Sequence, residues 1–134
     1  HMEATVAVAF LYPGRKVEDR KMAVIALNRN NDFRRLYKKA AQVSPVLVTY
    51  QSKNRLGINR IGITTTKKIG KAHSRNRARR VIREAYRLLE PDLTPGHDFV
   101  FVARGRTVSC KMQEVHRAMK KHLSGCVRHD ETPV

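Results

Sequence analysis

A chain of 134 residues with 28 Lys or Arg against 11 Asp or Glu carries a formal charge of +17, which points to a polyanionic partner and a steep salt dependence of binding. The length suits one domain with a real core. Two cysteines, Cys110 and Cys126, are too few for a disulfide framework, so a reducing cytoplasm is the expected compartment, and no segment approaches the roughly 20 apolar residues of a membrane span.

Taken in chain order, His1-Met2 reads as an expression-tag remnant. Ala4 to Tyr12 is a short apolar run in which Val6, Val8 and Phe10 alternate with small residues, as a strand permits. It lacks the basic start and cleavage site of a signal peptide. Met22 is a candidate initiator, and residues 1–27 are expected to form an N-terminal extension outside the core. The folded domain is expected over 28–124, with a flexible tail over 125–134.

Asn30 and Asn31 are candidate N-caps for a helix over 32–41. Phe33, Leu36, Tyr37 and Ala40 then share an inner stripe, with Arg34, Arg35, Lys38 and Lys39 outside. Ser44-Pro45 forces extended backbone, and Val46 to Tyr50 is β-branched and aromatic. Residues 52–59 read as a hairpin loop, and Arg60 to Thr66 as the return strand. Gly62 within it signals a close backbone approach or a bulge.

Lys67 to Arg87 holds nine Lys or Arg against a single acid, Glu84. It reads as a helix from about His73 or Ser74, and from Asn76 onward Asn76, Arg79, Arg80, Arg83 and Arg87 fall on one face. Ala78, Val81, Ile82, Ala85, Leu88 and Leu89 fall on the other, and Arg77 lies on the flank near Glu84. Arginines three and four apart repel unless an anion lies across them. Solvated helix faces normally mix the two signs of charge, so nucleic acid is the favoured partner. Lys67, Lys68 and Lys71 add to the positive end of the helix dipole, a ready anion site.

Pro91 closes that helix, Asp98 to Ala103 is a strand apolar on both faces, and a final helix spans 109–123. The order α-β-β-α-β-α, with helices interleaved with a small, mostly antiparallel sheet, gives an α+β fold, a two-layer sandwich. The acids are scattered, so neither a two-metal nor an acid–base nuclease site is encoded, and no catalytic residue is assigned. His73 reads as a polar loop residue, with phosphate donation as the alternative. His122, Cys126 and His129 lack a second ligand pair at zinc-site spacing, so no metal-ligating residue is assigned. Three classes stay open on the residues alone: a ribozyme's RNA-binding subunit, a ribosomal or other structural RNA binder, and a DNA module or nuclease. A DNA module should show a helix-turn-helix pair, and none precedes Arg75.

The lead-in Thr66-Lys67-Lys68-Ile69-Gly70, the core Arg75-Asn76-Arg77 and the continuation Arg79 to Tyr86 resemble the protein subunit of bacterial ribonuclease P. Asn31-Asp32-Phe33 with Tyr37, and the strand Asp98 to Arg104, fall where that family has its first helix and a later strand. The resemblance covers about 28–123. It implies a central sheet with a left-handed β-α-β crossover, an exception to the usual hand. It also implies a subunit of a tRNA 5′-processing endoribonuclease, with catalysis in a large RNA that uses Mg²⁺, and a protein inactive alone. The implied partners are that catalytic RNA and precursor tRNA, in a 1:1 complex with one protein monomer in the cytoplasm. The implied RNA-binding residues are Lys67, Lys68, Lys71, Arg75, Asn76, Arg77, Arg79, Arg80 and Arg83. The implied cleft for the single-stranded 5′ leader uses Phe33 and Tyr37. Its strand position falls at Tyr50, or at Thr49 with the aromatic missing. The segment through Lys21 has no counterpart in the family pattern.

Overall fold

The computed structural model describes residues 24–27 and 29–127. The expected strand over 4–12, and the tail beyond Val127, lie outside the described residues. Among the described residues the strands and α-helices are, in order, β1 Ile25–Ala26, α1 Asn30–Tyr37, β2 Gln42–Ser44, β3 Leu47–Lys53, β4 Arg60–Thr64, α2 Ala72–Leu89, β5 His97–Ala103, α3 Gly105–Ser109 and α4 Met112–His122. The strands form one sheet in the order β1-β4-β5-β3-β2.

The central strand is β5, and its sequence explains why. Asp98, Phe99, Val100 and Phe101 are all buried, as a strand covered on both faces requires. It runs antiparallel to β3, from Leu47 opposite Ala103 to Lys53 opposite His97. It runs parallel to β4, from Arg60 opposite Asp98 to Thr64 opposite Val102. The expected β3–β4 hairpin is therefore not formed, because β5 is inserted between the two strands. Nor is the sheet mostly antiparallel: β1 also runs parallel to β4, against the antiparallel pairs β3–β5 and β2–β3. What hides this in the sequence is the six-residue link 54–59, which looks like a hairpin loop. Within it Asn54 donates to Ile58 O at 3.1 Å and accepts from Leu56 N at 2.8 Å, so the loop closes on itself.

Side chains alternate across the sheet. One face carries Phe99, Phe101, Ile61 and Ile63, which pack with Tyr86, Ile82 and Leu89 of α2 and Val115 and Met119 of α4 in the main core. The other face carries a small cluster of Leu27, Phe33, Leu36 and Val100 beneath α1. Several boundaries move. Val24 and Leu27 are 1% and 0% exposed, and Leu27 N donates to Ile61 O at 2.8 Å, so 24–27 belongs to the core rather than to an extension. Cys126 is buried, and its carbonyl accepts from Thr94 N at 2.8 Å, so the fold continues past 124. The first helix begins at Asn30, with Arg29 at its cap and Asn30 and Asn31 inside the first turn. The last helix is split in two, because Cys110 and Lys111 are extended. Thr107 anchors the first piece: its hydroxyl accepts from Arg104 N at 2.8 Å and donates to Val46 O at 2.6 Å.

Candidate nucleic-acid interface

The parallel β4-α2-β5 crossover places the start of α2 just beyond the carboxyl end of β4. Thr66 Oγ1 accepts from Lys68 N at 3.3 Å and opens a single 3₁₀ turn over Lys67–Ile69. Gly70 follows with φ of 136°, a backbone state that favours glycine. Its carbonyl accepts from Arg75 Nη1 at 2.9 Å, tying the turn to the helix. Lys71 caps α2 without a side-chain acceptor, and no acid lies in the first turn. The helix's free N–H groups and the exposed Lys67, Lys68 and Lys71 thus form one positive end.

Along α2 the predicted two-faced pattern is present. Ala78, Val81, Ile82, Ala85 and Leu89 are buried, whereas Leu88 is 50% exposed. Asn76, Arg77 and Arg80 are exposed. Several predicted RNA-binding arginines also have partners within the protein. Arg77 Nε donates to Val108 O at 2.8 Å, and Arg79 Nη1 to Thr65 Oγ1 at 2.8 Å. Arg79 Nη2 donates to Asn76 Oδ1. Burial, and then the neighbouring charge of Arg75, holds the Arg79 guanidinium below its ordinary pKa. Arg87 pairs with Glu84 at 2.6 Å. His73 is exposed.

The second half of the candidate interface is the sheet face on which Tyr37 and Tyr50 stay half-buried. Phe33 does not belong to it. This residue is 1% exposed and lies beneath Gly62, where an added Cβ would sit 2.4 Å from Phe33 Cζ. Its ring fills the small cluster and presents no face to a base. Gly62 thus marks a close approach, as its place in the strand implied. Tyr37 and Tyr50 do share the open part. Their rings meet edge to face with centroids 5.1 Å apart, and both are half-buried beside Val102. Thr49 is fully buried, bonded to His122 Nδ1 at 2.9 Å, so Tyr50 is the strand residue on this face. The Tyr37 hydroxyl is not left to water but bonds Thr64 Oγ1 at 2.6 Å. Burial raises its pKa above the ordinary value, with Thr64 opposing and Tyr50 adding.

The far end of the face is closed by a charge cluster that the sequence reading missed. Asp98, fully buried, accepts from Arg60 at 2.9 and 2.8 Å, from Arg35 at 2.6 Å and from Asn54 at 2.8 Å. Burial pushes its carboxyl up, but the bonds from Arg60, Asn54 and Arg35 outweigh that and hold it below the usual range. The two halves of the interface meet at the end of β4. Thr64 bonds Tyr37, Thr65 bonds Arg79, and Thr66 caps the turn into α2. The one available signal for this junction was the run of three threonines itself.

The described residues bring no three potential metal ligands together. Asp32 and Asp98 pair with Arg35 and Arg60, and Glu90 accepts from Tyr86 at 3.0 Å. Cys126 Sγ bonds Gln51 Oε1 at 3.0 Å, and His129 lies outside the described residues. Among the described residues this donor set does not fit a protein-held Mg²⁺. Among the described residues no helix is long and apolar enough to cross a membrane.

A basic helix start beside a half-covered, tyrosine-bearing sheet face defines an α+β domain of the RNA-binding class, with one element suited to phosphates and another to unpaired bases. The family model for ribonuclease P matches residues 23–127. The ribonuclease P protein component of Thermoanaerobacter sp. (strain X514) is 35% identical over 99 residues, covering 73% of this chain and 85% of that protein. That of Clostridioides difficile (strain 630) is 40% identical over 96 residues, covering 70% and 84%. The solved RNase P protein of Staphylococcus aureus superposes with a TM-score of 0.66 at 25% identity, covering 75% of this chain and 94% of that one. The Thermotoga maritima protein shares the fold, with a TM-score of 0.67 at 24% identity and coverage of 77% and 98%. The chain belongs to the ribonuclease P protein family, and is an RNA-binding subunit of the tRNA 5′-processing ribonuclease P holoenzyme.

Proposed function

We propose that this protein grips RNA in two adjoining ways: α2 and its lysine-rich lead-in bind the catalytic RNA, and the face between Tyr37 and Tyr50 holds the leader of precursor tRNA. The continuity of the two surfaces through Thr64, Thr65 and Thr66 carries this reading. A strand lying along the open face meets tyrosine rings, on which any base can stack. Its backbone then runs toward the positive end of α2. Lys67, Lys68, Lys71, Asn76 and Arg80 present charge or donors outward, and Arg83 and Arg87 continue the face. Arg75 acts mainly by closing the turn at Gly70, and Arg77 by bracing α3 through Val108.

Catalysis resides in the RNA, which holds the Mg²⁺ of the reaction, and one protein monomer joins one RNA in the cytoplasm. The arrangement of acids supports this, because the described carboxylates that meet arginines are neutralised by them. The test is cleavage of precursor tRNA by the protein, the RNA, and the two together, at low Mg²⁺. Cleavage needing the RNA and stimulated by the protein is expected. Cleavage by RNA-free protein at the holoenzyme's rate overturns the assignment, and absence of stimulation favours a structural RNA binder.

A further inference from the structure

We propose that Arg79 is a positioning residue rather than a phosphate ligand: braced on Thr65, it holds the carboxamide oxygen of Asn76 and turns the Asn76 NH₂ outward to the RNA. The inference rests on the reading of α2 as the surface for the catalytic RNA. Its starting point is a count of donors. Arginine has N–H donors and no acceptor, so the Asn76 atom that faces Arg79 Nη2 must be Oδ1. That leaves Nδ2, with two hydrogens, at an exposed residue.

An unrestrained surface asparagine presents its oxygen as readily as its nitrogen, and an outward oxygen repels phosphate. Here the choice is made before RNA arrives. Asn76 and Arg79 are three apart, hence neighbours on one helix face. Arg79 cannot swing away freely, because Nη1 donates at 2.8 Å to the hydroxyl of Thr65, which is 3% exposed. The brace therefore runs from the buried end of β4, through a partly buried guanidinium, to an exposed amide. Arg80, the next residue, is exposed and supplies the outward cation that Arg79 does not. The ligand chemistry is an RNA hydrogen-bond acceptor, either a phosphate oxygen or a base edge.

The experiment titrates variants of the full chain against the cognate ribonuclease P RNA transcript at several salt concentrations, below all melting temperatures. Thr65→Val is expected to weaken binding about three- to tenfold, the worth of one hydrogen bond, with an unchanged salt slope. Thr65→Ser, which keeps the hydroxyl, should restore it. Arg79→Gln should also leave the slope unchanged. Asn76→Ala should match Thr65→Val, the double variant should be no worse than Asn76→Ala, and Asn76→Asp should be worst because it replaces the outward donor by an acceptor. A slope reduced by about 0.7–0.9 in Arg79→Gln means a lost phosphate contact and overturns the proposal. Additive losses in the double variant overturn it too, as does a lower melting temperature with unchanged affinity in Thr65→Val. Arg80→Ala serves as the control. If it lowers neither affinity nor slope, the α2 surface itself is misassigned. If it lowers both while Thr65→Val and Asn76→Ala do nothing, only the positioning role fails.

Discussion

Phe33 and Tyr37 sit one helical turn apart on α1, with ring centroids 6.4 Å apart, yet their replacement should fail in opposite ways. Phe33 is a fully buried aromatic in a small cluster with Leu27, Leu36 and Val100, against which Tyr37, Tyr50 and Val102 pack. Truncating such a ring costs about 3–5 kcal/mol. For a domain near 100 residues each kcal/mol moves the melting temperature by roughly 4–8 °C, so Phe33→Ala should melt tens of degrees lower. Phe33→Leu keeps most of the volume and leaves a folded protein to assay. Tyr37 is half-buried at the open face, and its ring offers a stacking surface worth about 1–3 kcal/mol per base. Tyr37→Ala should therefore weaken holoenzyme affinity for leader-bearing precursor about 5- to 150-fold at that exchange rate, while sparing mature tRNA. It should also lower stability modestly, by about 1 kcal/mol for the lost bond to Thr64. The assays are thermal melting of the protein and paired titrations of the holoenzyme with precursor and mature tRNA. Equal losses for the two tRNAs in Tyr37→Ala refute the leader assignment. Lost leader discrimination in a Phe33→Leu protein of unchanged melting temperature refutes the burial argument.

Two further outcomes test the fold that supports the site. Asp98→Asn removes the nearer counter-charge of Arg35 and Arg60, leaving them Asp32 at 3.6 and 3.8 Å, and should cost about 1.5–3 kcal/mol. Because the folded Asp98 pKa lies below the unfolded value of about 3.9, its contribution is complete above that value and is lost as pH falls through the folded pKa; urea melts of Asp98→Asn should lack that acid-limb loss. A chain beginning at Asn28 loses Val24 and Leu27, whose burial is worth about 1.5–3 kcal/mol each. It should melt well below one beginning at Met22, and equal melting temperatures would show β1 to be dispensable.

The helix that carries half of the candidate site was legible in the sequence because α2 has eighteen residues, enough turns for the periodicity of its apolar stripe to stand out against its arginines. The buried β5 was legible from the apolar run of Phe99 to Val102. Short elements were not. β1 has two residues and β2 three, and neither length carries a period. Pairing partners were illegible for a different reason. Strand order depends on contacts between residues far apart in the chain, and the insertion of β5 between β3 and β4 leaves no local mark. Phe33 shows the same limit within one helix. Periodicity places Phe33 and Tyr37 on one inner stripe but does not say where the sheet beneath them ends. Gly62, a residue of another element, decides that Phe33 sinks into the core.

That glycine also bears on why the two proposed binding surfaces adjoin. Without a side chain at Gly62, the Phe33 ring settles against β4, and with Leu36 and Val100 it fills the middle of the face. Asp98 and its two arginines close the amino end of β5. What remains open is the carboxyl end of the parallel pair, where Tyr37 reaches Thr64. A parallel crossover must leave β4 at that same end, so the positive start of α2 is delivered to the rim of the open face. Cleft and helix start are thus consequences of one topological choice. The residues that join them therefore lie between Thr64 and Arg79, a stretch that holds six Lys or Arg and no acid.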